Sequence, residues 1–353
     1  MNVMIYPYTI LNQYIKTHKE LFLYEITHYL VAGQIIDQEA NDAGKEICTY
    51  QDLLSDPRIL EAVDAFCIID EVPDPDELYK ITEYLCSKGK NIICALDEHT
   101  AKIKELCEKH QVELLSGDTA EKYPAKRSWV NSYSILDIDV PIITVFGMGL
   151  NVQKFDLQLY LRKRFVEKGY KVSQIGTKPI STLFGFHSIP KFMYNKEFTD
   201  VEKVMAFNRF VKKIEKEEKP DVIILGIPEP VIPLNSKHRF SFGLYAYEIL
   251  NAVKSDFAIA SLYGNSDYDE NFYSEMSEMS KYKLNVEIDA FYISQFFPIS
   301  NSLWTDHLVF GYVPETDIIE NSYSVYSMED LVANTLFDQA EKKLLLYGKF
   351  EQF

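Results

Sequence analysis

VFGMGLNVQKFDLQLYLRKRF, residues 145–165, decides how the second half of this chain is read. The apolar run ending at Phe146 has the length and composition of a buried strand. Two glycines follow, then Lys154, then an apolar pattern with helical spacing. A strand, a glycine turn and a lysine-led helix make up a phosphate-binding loop. Backbone amides turn toward the anion, the helix N-terminus adds partial positive charge, and the lysine neutralises phosphate oxygens. The spacing departs from GxxxxGK[ST]. Gly147 lies seven residues before Lys154 and Gly149 lies five before it, so the register misses by one in either direction. Gln153 stands where the last glycine belongs, and Phe155 replaces the hydroxyl that holds Mg²⁺. Asp156 is the nearest substitute for that ligand. Asn151 and Gln153 bring amide donors in place of a glycine's bare backbone. The expected ligand groups are Gly147, Gly149, Asn151 and Lys154, with Lys178 joining from the next strand.

Local charge supports an anion. Residues 154–178 carry seven Lys or Arg against two acids, a net of +5 inside a chain whose formal net charge is −17. A solvated basic helix face explains Arg162, Lys163, Arg164 and Lys168 equally well. Lys154 differs from these because it opens a helix after a glycine turn.

The chain has 353 residues, room for two domains. The acidic balance argues against nucleic acid, which needs a basic footprint, and against an anionic membrane surface. No apolar run approaches the ~20 residues of a spanning helix, and the opening MNVMIYPYTILNQYIKTHKE is not a secretory signal. The expectation is a cytoplasmic protein. All five cysteines, Cys48, Cys67, Cys86, Cys94 and Cys107, fall in the first third, at spacings of neither a zinc site nor a redox pair. They read as buried small hydrophobes, and no metal site is expected.

Repeated strand and helix patterns predict an α/β fold with two doubly wound domains. Residues 1–135 read as Rossmann-like, though without GxGxxG, and residues 136–353 as a divergent P-loop NTPase-like domain. A polar linker lies near residues 116–139. In the first domain NVMIYPY and GQIIDQ read as strands, and KELFLYEITHYL between them reads as a helix. The closing SMEDLVANTLFDQAEKKLLLYG reads as one amphipathic helix from an N-cap at Ser327 to Gly348. In doubly wound sheets ligands gather at the carboxyl ends of strands. Those ends are Gly147–Gly149, Thr177–Lys178, Gly226–Glu229 and Tyr263–Gly264, and they should converge.

The order of glycine loop, lysine-led helix, YKVSQIGTKP and PDVIILGIPEP resembles the dethiobiotin-synthetase-like branch of P-loop NTPases over roughly residues 140–265. In that branch a Glu-Gly often ends the strand equivalent to 221–226. Here Leu225 takes the acid's place and Glu229 follows three residues after Gly226. Over nearly the full chain, NVQKFDLQL, LFGFHSIPKFM and KPDVIILGIPEPVIP are similar to a family found in clostridial peptide maturation systems, whose gene cassettes modify small ribosomal peptides. That resemblance implies a role in maturing a peptide natural product (a RiPP), with a precursor peptide and a peptide-modifying enzyme as partners. It supplies no reaction.

His187, whose side chain titrates near neutrality, and Glu229, just past a strand end, are the further catalytic candidates beside Lys154. A hydrogen-bonded loop histidine and a solvated loop acid are the plain alternatives. Residues 265–282, NSDYDENFYSEMSEMSKY, are acidic and rich in Tyr and Met. They read as a surface helix with an apolar inner stripe, or as a dock for a cationic peptide. The leading expectation is binding of ATP or GTP with Mg²⁺, or of another phosphorylated ligand. Catalysis, if present, would be ligase- or kinase-like phosphoryl transfer. A non-catalytic scaffold and an acyl-CoA-dependent transferase remain the alternatives.

Overall fold

The computed structural model describes residues 1–32, 46–70, 72, 74–116, 134–264, 267–316, 318 and 321–346. The expected strand at 33–38, most of the 116–139 linker and Gly348 lie outside them. The chain forms two compact units, Met1–Glu121 with Pro179–Ser188, and Lys122–Lys178 with Ile189–Phe353. The linear division at residue 135 has no place for the return of Pro179–Ser188 to the first unit.

The first unit holds strands β1 (Asn2–Tyr8), β2 (Glu25–Val31), β3 (Ile47–Cys48), β4 (Ala65–Ile68), β5 (Asn91–Cys94) and β6 (Leu114–Ser116). They form one sheet in the order β3-β2-β1-β4-β5-β6, every pair parallel. This is the Rossmann strand order. Helices α1 (Tyr14–Thr17), α2 (Tyr50–Ser55), α3 (Pro57–Glu61), α4 (Pro75–Ser87) and α5 (Asp97–His110) connect the strands. The stretch read as a helix from Lys19 is instead a short 3-10 turn followed by β2. Its apolar residues fit a helical period, but Ile26, Tyr29 and Leu30 are buried in a strand that pairs with β1 from Asn2↔Glu25 onward. Sheet burial of β-branched and aromatic residues overrides the local period here. All five cysteines are free and buried.

The second unit is wound around β7 (Ile142–Gly147), whose six residues are all buried. Next along the chain come α6 (Lys154–Glu167) and β8 (Val172–Gly176). The two-residue β9 (His187–Ser188) lies in the segment that returns to the first unit. Then follow α7 (Asp200–Glu218), β10 (Val222–Pro230), α8 (Leu244–Ala252), β11 (Phe257–Leu262), α9 (Glu270–Met279), β12 (Ala290–Ile293), β13 (Phe296–Pro298), β14 (Phe310–Tyr312) and β15 (Val325–Tyr326). The unit's sheet runs β15-β12-β11-β7-β10-β8, all parallel. β13 and β14 form a separate antiparallel pair.

Side chains alternate across β7. Ile142 and Phe146 join the core under α7 and α8, while Ile143 and Val145 join the core under α6. Because β10 lies on one side of β7 and β11 on the other, β7 is the switch point where the winding reverses, the usual place for a ligand. The closing helix is split into α10 (Met328–Ala333) and α11 (Thr335–Leu344) at Asn334, which is left-handed with φ 65°. Ser327 is the N-cap, accepting from the Glu329 amide. Asn tolerates the left-handed region better than most residues, and one such residue ends a helix.

Candidate functional site

The turn from β7 to α6 is fastened on both sides. The Met148 amide donates to Ser261 O (2.9 Å) and the Val231 amide donates to Gly147 O (3.0 Å). Ser261 Oγ donates to Val152 O. The ends of β7, β10 and β11 thus meet at one place.

Neither glycine of the turn has a positive φ; the left-handed residues are Asn151 (φ 52°) and Gln153 (φ 54°). The glycines are required by close approach instead. A Cβ on Gly147 would lie 2.9 Å from Lys154 Cδ and 2.6 Å from Val152 Cγ2, and one on Gly149 would fall 2.0 Å from Tyr263 Cζ. Gln153 is the N-cap of α6. It takes the left-handed conformation a glycine usually supplies, at about 1–2 kcal/mol for an L side chain. Its Oε1 accepts from the Gln295 amide at 2.7 Å, which offsets that cost.

Lys154 folds back over Gly147. Its Nζ donates to Glu229 O (2.8 Å) and Ile227 O (3.1 Å). Those carbonyls are free because the β10–β7 ladder shifts register between Gly226 and Pro230. Pro228 and Pro230 have no N–H to give the ladder. Burial lowers the Lys154 pKa to about 7; the Glu229 carboxylate opposes that drop and the Lys178 ammonium adds to it. The residue keeps some exposed surface, and its ammonium is hydrogen-bonded to the two carbonyls. Lys154 therefore feels the charges of both Glu229 and Lys178 at the carboxyl edge.

Glu229 is itself left-handed, φ 54°. Its Oε2 is buried without a hydrogen-bond partner among the described residues. Burial raises the phenol pKa values of Tyr194 and Tyr245, and the Glu229 carboxylate adds to the rise. The two rings meet edge to face at 5.2 Å. Tyr263 is buried against Gly149, and its hydroxyl has no hydrogen-bond partner among the described residues.

Of the residues singled out in the sequence, Gly147, Gly149, Asn151, Lys154, Lys178 and Glu229 share this edge of the second unit. His187 lies in the segment that groups with the first unit. Asp156 sits near Gln153 (3.5 Å) and adds to the raised pKa of Tyr292, on the β12 side rather than beside Glu229. Phe155 is 4% exposed, a core residue in the position of the Mg²⁺-holding hydroxyl. Leu225, in the place of the acid, is fully buried. With Phe155 and Leu225 in the core, no P-loop Mg²⁺ ligand is present in its usual place. Among the described residues no group of three or more His, Cys, Asp or Glu is arranged to hold a metal ion. Tyr194, Tyr245 and Gln295 carry no local sequence signal; only Tyr263 does, as the end of a strand.

No family profile and no curated protein matches the chain. Among solved structures it is similar to a DUF1611 family protein from Anabaena variabilis, with TM-score 0.65 and 11% identity over 97% of this chain and 99% of that one. That likeness shows the two-unit α/β fold. Looser likenesses are to an NAD binding oxidoreductase from Klebsiella pneumoniae (TM-score 0.26, 17% identity, 43% of this chain and 44% of that one) and to chloroplast FtsY from Physcomitrella patens (0.30, 14%, 80% and 79%).

Proposed function

We propose that the second unit binds a phosphorylated ligand at the Gly147–Lys154 turn. Lys154 and Lys178 are the cations, and the turn's backbone with Asn151 forms the cradle. The observation that carries this reading is Lys154 itself. Its ammonium is held at the switch point of the sheet by two strand carbonyls, in a place where burial disfavours its charge. A phosphate arriving there restores a counter-charge and so gains more than it would at an exposed lysine. Tyr263 lies over Gly149, so the ligand reaches the turn from the Lys154 and Lys178 side. With Phe155 in the core, any Mg²⁺ arrives with the ligand's own phosphates. If the ligand is ATP or GTP, it supplies a phosphoryl group for transfer. Glu229 then stands near Lys154 as the group able to accept a proton.

The resemblance to peptide maturation families supports placing this activity in the cytoplasmic maturation of a peptide natural product, beside a precursor peptide and its modifying enzyme. The test is calorimetric titration with ATP, GTP and coenzyme A, each with and without Mg²⁺, on wild type and Lys154→Ala. Binding of one ligand that Lys154→Ala loses supports the site. Preference for coenzyme A over both nucleotides favours an acyl transferase. No binding to any of the three overturns the proposal in favour of a scaffold.

A further inference from the structure

Two unusual pieces of backbone meet on one patch of the second unit. α9 turns Phe272, Tyr273, Met276 and Met279 toward the core. It then runs into a π turn, Ser280–Leu284. A π turn inserts a residue and shifts the side chains that follow, and such turns favour functional sites. Here Leu284 is fully buried and Tyr282 is 81% exposed. The second piece is Phe240–Gly243, left-handed at four consecutive residues with φ 44°, 50°, 56° and 77°. Three of them are not glycine, and each is disfavoured for an L side chain. This turn leaves Phe242 and, at the start of α8, Leu244 about half exposed, at 52% and 50%.

Lys283 ties the two pieces together. Its Nζ donates to Phe242 O (3.0 Å) and Val231 O (3.2 Å). With Lys283 committed to carbonyls, no cationic side chain among the described residues pairs with Glu275 or Glu278 on the exposed face of α9; Glu275 accepts from Asn271 at 3.0 Å. Both carboxylates, with Met279, Tyr282 and Lys283, line a shallow groove of about 440 Å³, and Lys283 links it to the left-handed turn through Phe242 O.

We propose that this patch docks a basic peptide segment that also carries an apolar residue. Lys or Arg side chains pair with Glu275 and Glu278 and lie against the Tyr282 ring, where a cation is attracted to the aromatic face. The apolar residue packs on Phe242 and Leu244. Charge selects this occupant. A second copy of a chain with net charge −17, like an anionic membrane, is repelled from an acidic face. The assignment is independent of the phosphate reading, because none of these side chains contacts Lys154.

The test follows fluorescence anisotropy of a labelled short peptide of Lys, Arg, Phe and Leu titrated with the full chain. E275Q/E278Q should weaken binding about tenfold or more, and Tyr282→Ala about threefold or more. E105Q/E108Q, with the same charge change on exposed α5 of the first unit, should bind as wild type. The proposal is overturned if wild type does not bind the peptide, if E275Q/E278Q binds as wild type, or if E105Q/E108Q loses as much.

Discussion

Gln153 shows how this turn works without its glycine. The left-handed backbone costs energy, and the bond from the Gln295 amide returns some of it. Gln153→Gly relieves strain but loses the bond, while Gln153→Ala loses the bond and keeps the strain. Gln153→Ala should therefore be the less stable of the two by about 1 kcal/mol, read as a lower urea midpoint at unchanged slope. Lys154 makes a prediction in pH. Its folded pKa is about 7 against an ordinary 10.5. Between those values the unfolded chain holds a proton that the folded chain lacks, so stability rises with pH across that window. Below about pH 7 both states are protonated and the contribution is flat. Lys154→Met should abolish the rise, as checked by urea midpoints at neutral and alkaline pH. Lys154 and Glu229 were legible in the sequence because glycines and a strand end mark them. Tyr194, Tyr245 and Gln295 were not, because they reach the site from distant parts of the chain through tertiary packing.

At the scale of elements, the repeating β-α order was readable wherever a strand was short and almost wholly apolar, as in β4, β7 and β11. It was misread where an apolar helical period coincided with a strand, as in β2, since pairing partners decide such segments. The closing helix was misread for a different reason. Its apolar pattern continues across Asn334, and only the left-handed backbone there separates α10 from α11. Asn334→Ala should destabilise the second unit by about 1 kcal/mol, with Asn334→Gly close to wild type, both measured by thermal unfolding. The register shift in β10 shapes the candidate site. By freeing the Ile227 and Glu229 carbonyls it gives the Lys154 ammonium a resting place.

For the whole molecule, each unit has its own sheet and its own buried core. Among the described residues no helix is long and apolar enough to cross a membrane. The net charge of −17 predicts no measurable affinity for single- or double-stranded oligonucleotides even at low salt, where electrostatic binding is strongest; anisotropy of labelled oligonucleotides checks this. The same charge makes the basic segment of residues 154–178 stand out. At the phosphate site proposed above, Lys154, with a folded pKa of about 7, should gain a proton when a phosphate reaches it. The deciding measurement is calorimetric titration at pH 8 with whichever of ATP, GTP or coenzyme A binds, repeated in two buffers of contrasting ionisation enthalpy. Uptake of a proton on binding, absent in Lys154→Ala, is the predicted result. Binding with no proton uptake, or with the same uptake and affinity in Lys154→Ala, would contradict it.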